Sequence, residues 1–118
     1  MDKRLFWAGP AKSELKRFPA DARRSAGYQL WLVQQGRDPD DWKPLPDIGI
    51  GVREIRLHSR LEHRVLYIAR FNEGIYVLHA FEKKSRKTPL RSIELARNRL
   101  RDVIRSRPPN VNRPGDHP

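Results

Sequence analysis

The chain has 118 residues and a mass of 13.9 kDa, enough for one domain with a real core. It contains no cysteine, which excludes a disulfide scaffold, a Cys-ligated zinc site, an iron–sulfur cluster and thiol catalysis. Its 25 Lys and Arg outweigh 14 Asp and Glu, giving a net charge of +11 that draws polyanions.

No apolar run approaches the roughly 18 residues that a membrane span needs, and the start, MDKRLFWAGP, lacks the apolar region of a signal peptide. The expectation is a cytoplasmic protein. Its charge is unevenly placed. Residues 1–50 carry nine basic and seven acidic side chains, whereas residues 51–107 carry fifteen and six. Nucleic acid is the first candidate partner and an acidic protein the second. A merely solubilising surface does not need so lopsided a balance.

In chain order, residues 3–8 (KRLFWA) suit a short strand, which Gly9-Pro10 ends. Ala11, Leu15 and Phe18 fall at i, i+4 and i+7 on one helical face. Pro19 breaks that helix and suits the first turn of the next. On that second helix Ala22, Ala26, Leu30 and Val33 share a stripe, and Gly36 is a stop signal. Residues 37–51, with three prolines and two glycines, read as a loop that Trp42 and Leu45 anchor to the core.

Three strands follow: Val52 to His58, Arg64 to Phe71 and Ile75 to Phe81. In the first, Ile55 and Leu57 share one face, Glu54 and Arg56 the other. The next two are nearly continuous in apolar residues, so both faces of the sheet should be covered. Thr88-Pro89 reads as an N-cap and first helical residue, followed by a stripe of Leu90, Ile93, Ala96, Leu100, Val103 and Ile104. The whole predicts an α+β domain over residues 1–107, of order β-α-α-β-β-β-α. It has an antiparallel sheet, an N-terminal helical hairpin and a C-terminal helix. Residues 108–118 (PPNVNRPGDHP) read as a disordered tail.

Two basic clusters stand out. Lys83-Lys84-Ser85-Arg86-Lys87 places four cations in five residues between a buried strand and a helix. Such crowding suits a solvated turn, and suits a bound phosphate better. It also lowers a lysine pKa, so Lys83 or Lys84, beside Arg86 and Lys87, is placed for proton transfer. Arg53, Arg56, Arg60 and Arg64 form the second cluster, brought together by an antiparallel pair with its turn around Ser59 to Glu62. Arginine matches phosphate oxygens with a rigid fork, although Glu54 and Glu62 offer ordinary ion pairs. The histidines fit no metal spacing. His58 and His63 flank the turn within reach of a bound backbone, His79 interrupts a buried strand, and His117 lies in the tail. Catalytic-triad order, a Walker loop and a dinucleotide fingerprint are all missing.

Residues 79–100, HAFEKKSRKTPLRSIELARNRL, resemble phage-related HigB-like proteins of the RelE/ParE toxin superfamily. The matching positions are Phe81, Lys83, Lys84, Thr88, Pro89, Glu94, Ala96 and Arg99. Upstream, Glu54, Ile55 and Arg56 resemble the family's E-L-R strand, and Arg64, Val65, Leu66 and Tyr67 its R-V-L-Y strand. The resemblance covers roughly residues 3–106. It implies a RelE-like fold and the toxin half of a toxin–antitoxin pair, paired with a helix-turn-helix antitoxin. It implies cleavage of mRNA in the ribosome without cofactor or metal, through 2′-OH attack with Lys and Arg stabilising the phosphorane. Arg56, Arg64, Lys83 and Lys84 are then the catalytic candidates. Arg53, Arg60, Arg86, Lys87 and Arg91 would bind RNA, with Arg97, Arg101 and Arg105 helping to dock rRNA. Glu54, His58 and His79 are available as acid or base, and the resemblance selects none of them. The alternatives are a ParE-like toxin that poisons gyrase and a basic module that binds nucleic acid without cutting it.

Overall fold

A computed structural model describes residues 2–107 of the protein, and the tail expected from 108 to 118 lies outside them. Eight elements follow one another: β1 (Arg4–Trp7), α1 (Ala11–Lys16), α2 (Ala20–Gln34), β2 (Trp42–Pro44), β3 (Val52–His58), β4 (Glu62–Phe71), β5 (Gly74–Glu82) and α3 (Leu90–Ser106). The expected α+β class and helical hairpin are present. The order differs by one strand, because β2 lies inside the stretch expected to be a loop. A three-residue strand has too few positions to show a period, and proline is tolerated at a sheet edge. β2 pairs antiparallel with β3, placing Lys43 opposite Glu54.

The sheet has the order β1-β5-β4-β3-β2. It is mixed rather than antiparallel throughout, since β1 runs parallel to β5. Gly74 permits this approach: a Cβ there would sit 2.4 Å from the Arg4 carbonyl oxygen, and its φ is +147°. β1 ends at Trp7, and α1 takes over the edge of β5, where Ala80 N–H donates to the Glu14 carboxylate at 3.2 Å. α2 stops as its glycine requires. Gly36, at φ +80°, donates to Val33 O, and Arg37 donates back to Leu32 O, both at 2.9 Å.

Both faces of the sheet are covered. On one, Ile55, Leu57, Val65, Tyr67 and Val77 meet Leu15, Phe18, Ala22, Ala26 and Leu30 of the hairpin. On the other, Val52, Leu66, Ile68, Tyr76 and Leu78 meet Ala96, Leu100 and Val103 of α3. The apolar runs of β4 and β5 follow from this two-sided burial. The expected α3 stripe is truncated at both ends, since Leu90 and Ile104 are exposed. No helix among the described residues is long and apolar enough to cross a membrane.

Candidate anion-binding cleft

The register of β3, β4 and β5 sets Arg56 opposite Arg64, and Arg64 opposite Phe81. These side chains share the α3 face with Glu54, and Phe81 packs against the core on that face. Lys83 extends the β5 ladder by donating its N–H to Glu62 O at 2.8 Å. The result is an open cleft of about 400 Å³ lined by Glu62, Arg64, Lys83, Lys84, Ser85 and Arg86. Of the four strand arginines expected there it holds Arg64, beside Lys83, Lys84 and Arg86 of the basic turn.

Beneath the cations lies Glu54, which is fully buried. One of its oxygens accepts the Thr88 hydroxyl at 2.6 Å. The other faces Lys43 Nζ and Arg64 Nε at 3.8 Å and Arg56 Nε at 4.0 Å, all beyond hydrogen-bond reach. That oxygen and both Nε atoms are buried without a hydrogen-bond partner. Thr88 therefore does not cap α3, as its sequence position suggested. Pro89 is the N-cap, no side chain caps it, and the helix starts at Leu90. The Thr88 hydroxyl is used instead to fasten the basic loop to the strand carboxylate.

Arg64 is held rigidly. Its side chain is 7% exposed, with Nη1 donating to His63 O at 2.9 Å and Nη2 paired with Glu62 at 3.0 Å. Lys83 is 9% exposed, and its pKa is lowered. Burial is the main cause. Glu54 opposes it, while Arg64, Lys43 and Arg56 add to it. The sequence attributed such a shift to Arg86 and Lys87, but the cations responsible lie on neighbouring strands.

The acid–base candidates separate clearly. Glu54 is sealed below the floor. His58 sits at the rim, its ring nitrogens against Asp41 and Glu62, and these bonds raise its pKa, Asp41 foremost. His79 is tied to Glu14 at 2.9 Å, stacks on Phe81, and has a pKa lowered chiefly by burial. Arg99 completes that cluster with two 2.8 Å bonds to the Glu14 carboxylate. His63 does not flank the turn at the surface. It is buried on the hairpin face against Phe18, because its neighbours Glu62 and Arg64 point the other way.

The four strand arginines do not converge as expected. Arg53 lies on the hairpin face, over the Trp42 ring at 3.9 Å and bonded to Asp38 at 2.9 Å. Arg60 lines a different pocket beyond the β3–β4 turn. Lys87 is exposed on the loop and Arg91 on the first turn of α3. Lys43 is an added cation beside Glu54 that the sequence did not single out, since nothing marked its strand. Phe81 was visible only as a motif position, and it places a half-buried aromatic face beside Arg64.

A small mixed sheet, flanked by a hairpin and a helix and carrying four basic side chains in one open cleft, defines an α+β protein whose cleft has the chemistry that suits an oxyanion. The chain belongs to the family described as phage derived protein Gp49-like (DUF891), whose family model matches residues 13–101, and which is a family of RelE/HigB-like toxins. No curated protein matches it.

Proposed function

We propose that the protein is the toxin of a type II toxin–antitoxin pair and cuts mRNA on the ribosome. One observation carries this reading. Arg64 and Lys83 are both nearly buried at the cleft floor with Glu54 as the only fully buried carboxylate among them. Arg64 is paired with Glu62, but Lys83 has no ion-pair partner among the described residues; burying its charge is costly, and a bound phosphate offsets that cost.

RNA supplies its own nucleophile. The 2′-oxygen attacks the adjacent phosphorus as its proton passes to a water in the open cleft. The P–O5′ bond then breaks, giving a 2′,3′-cyclic phosphate and a 5′-hydroxyl. Arg56 and Arg64 neutralise the extra charge of the phosphorane, which is where fixed cations act most strongly. Lys83, whose pKa is lowered, delivers the proton to the departing 5′-oxygen. Lys84 and Arg86 hold the flanking phosphates at the mouth, and Phe81 offers a stacking face. The remaining surface charge docks the protein on rRNA by counterion release. A helix-turn-helix antitoxin is the expected inhibitor.

The test is induced expression of the chain and of its Arg64→Ala/Lys83→Ala variant, with primer extension on cellular mRNA. New 5′ ends inside translated regions, absent in a folded double variant, are expected. Growth arrest with intact mRNA would overturn the nuclease reading and favour a gyrase-directed toxin.

A further inference from the structure

The β3–β4 turn separates two pockets. Glu62 opens onto the basic cleft, whereas Leu61 and His63 face a second pocket of about 570 Å³ on the hairpin side. Its apolar lining residues are Pro19, Ala20 and Leu61. Its polar groups are Asp21, Arg24, Ser59, Arg60 and His63.

Three features make this a built site. First, His63 is 2% exposed and its Nδ1 is buried with no hydrogen-bond partner, although buried polar atoms are rarely left so. Second, α2 begins here, fifteen residues long and without a side-chain cap, so the positive end of its dipole meets the pocket. Third, neither Arg24 nor Arg60 has an ion-pair partner among the described residues, although each carries the fork that suits phosphate. Ala22 N–H donates to one Asp21 carboxylate oxygen at 2.8 Å, which leaves the other able to accept from a base. Apolar walls with a few polar groups are how proteins hold a flat heterocycle.

We propose that this pocket binds a nucleoside phosphate: the nucleotide adjoining the cleaved one, its strand bent over the β3–β4 turn. The base lies against Pro19 and Leu61 above His63, Arg24 and Arg60 take its phosphate, and Asp21 bonds the base edge. The pocket then sets which sequences are cut. This inference rests on the cleft taking RNA, but nucleotide binding is read without cleavage, so the two fail separately.

The experiment is a titration of the isotopically labelled full chain, at physiological salt, with the four nucleoside 5′-monophosphates and with ribose 5-phosphate, followed by backbone amide resonances. Saturable shifts are expected at Ala20, Asp21, Leu61 and His63, with the best nucleotide bound at least about tenfold more tightly than ribose 5-phosphate. Arg24→Gln/Arg60→Gln, two exposed changes, should weaken binding about tenfold, while Arg53→Gln should not. Equal affinity for ribose 5-phosphate, or shifts confined to residues 83–87, would overturn the pocket. A dinucleotide with a 2′-deoxy group at the scissile position should move resonances in both pockets together. Shifts in this pocket from mononucleotides alone would indicate a free nucleotide and overturn the subsite.

Discussion

Thr88 donates its hydroxyl to Glu54 across thirty-four positions of chain, and by that bond the basic loop is fixed over the strand arginines. The carboxylate has two roles. It anchors Thr88, and it partly offsets the positive field around Lys83. Replacing Glu54 therefore changes both the geometry and the titration of the cleft.

The titration change has a definite sign. As a proton donor, Lys83 works only while protonated, so cleavage should fall as pH rises through its pKa. That fall comes below the ordinary lysine value of 10.5, because burial and three neighbouring cations disfavour the charged form. Glu54→Gln removes the one influence that raises this pKa, so the falling limb should move to lower pH. A pH–rate profile of mRNA cleavage on ribosomes checks it, and an unmoved limb would remove Lys83 from the role.

Face separates the arginines. Arg64→Ala should lower cleavage by about 100- to 1,000-fold, the usual loss for one preorganised group that meets transition-state charge. Arg53→Ala should leave it nearly unchanged, because Arg53 is bound to Asp38 and Trp42 on the opposite face. Equal losses from the two would mean that the RNA path does not follow the cleft.

The Glu14–Arg99–His79 cluster joins α1, α3 and β5, and both carboxylate oxygens of Glu14 bond Arg99. Glu14→Ala leaves the Arg99 charge mostly buried and unpaired, so it should destabilise the fold by about 3 kcal/mol. Urea unfolding would show this as a lower midpoint at constant slope. His79→Gln should cost less and should keep cleavage, since the ring is committed to Glu14.

Acid should loosen the far end of the molecule first. Glu73 accepts two bonds from Arg107, at 2.7 and 3.0 Å, and one from the Tyr76 hydroxyl. Arg107 foremost holds its pKa down at about 2, against the usual 4.5. The unfolded chain therefore binds this proton more readily, and stability is lost as pH falls. The contribution is complete above pH 4.5 and lost as pH falls through about 2. Arg107→Ala should flatten stability over that window, and the same Arg107 lies 3.9 Å over the Phe71 ring, so some packing is lost at every pH.

Much of the fold was legible because local rules decided it. Helix and strand periods fixed α1, α2 and the main strands, proline and glycine marked their ends, and alternation put Arg56 opposite Ile55 and Leu57. The basic turn and the strand arginines were readable as two separate charge clusters, and the fold places only Arg64 of the second beside the first. Other features depended on contacts between distant segments, which no local pattern carries. β2 exists only because β3 offers it an edge, and β1 runs parallel only because Gly74 admits the Arg4 carbonyl. His63 is buried because α2 and Phe18 cover its face. Thr88 has the residue type of a cap, and a buried carboxylate on another strand takes its hydroxyl instead. Sequence by itself determined which residues carry charge and which face each prefers. Tertiary structure decided which charges share a cavity, because burial and pairing are set by the neighbours that folding brings together.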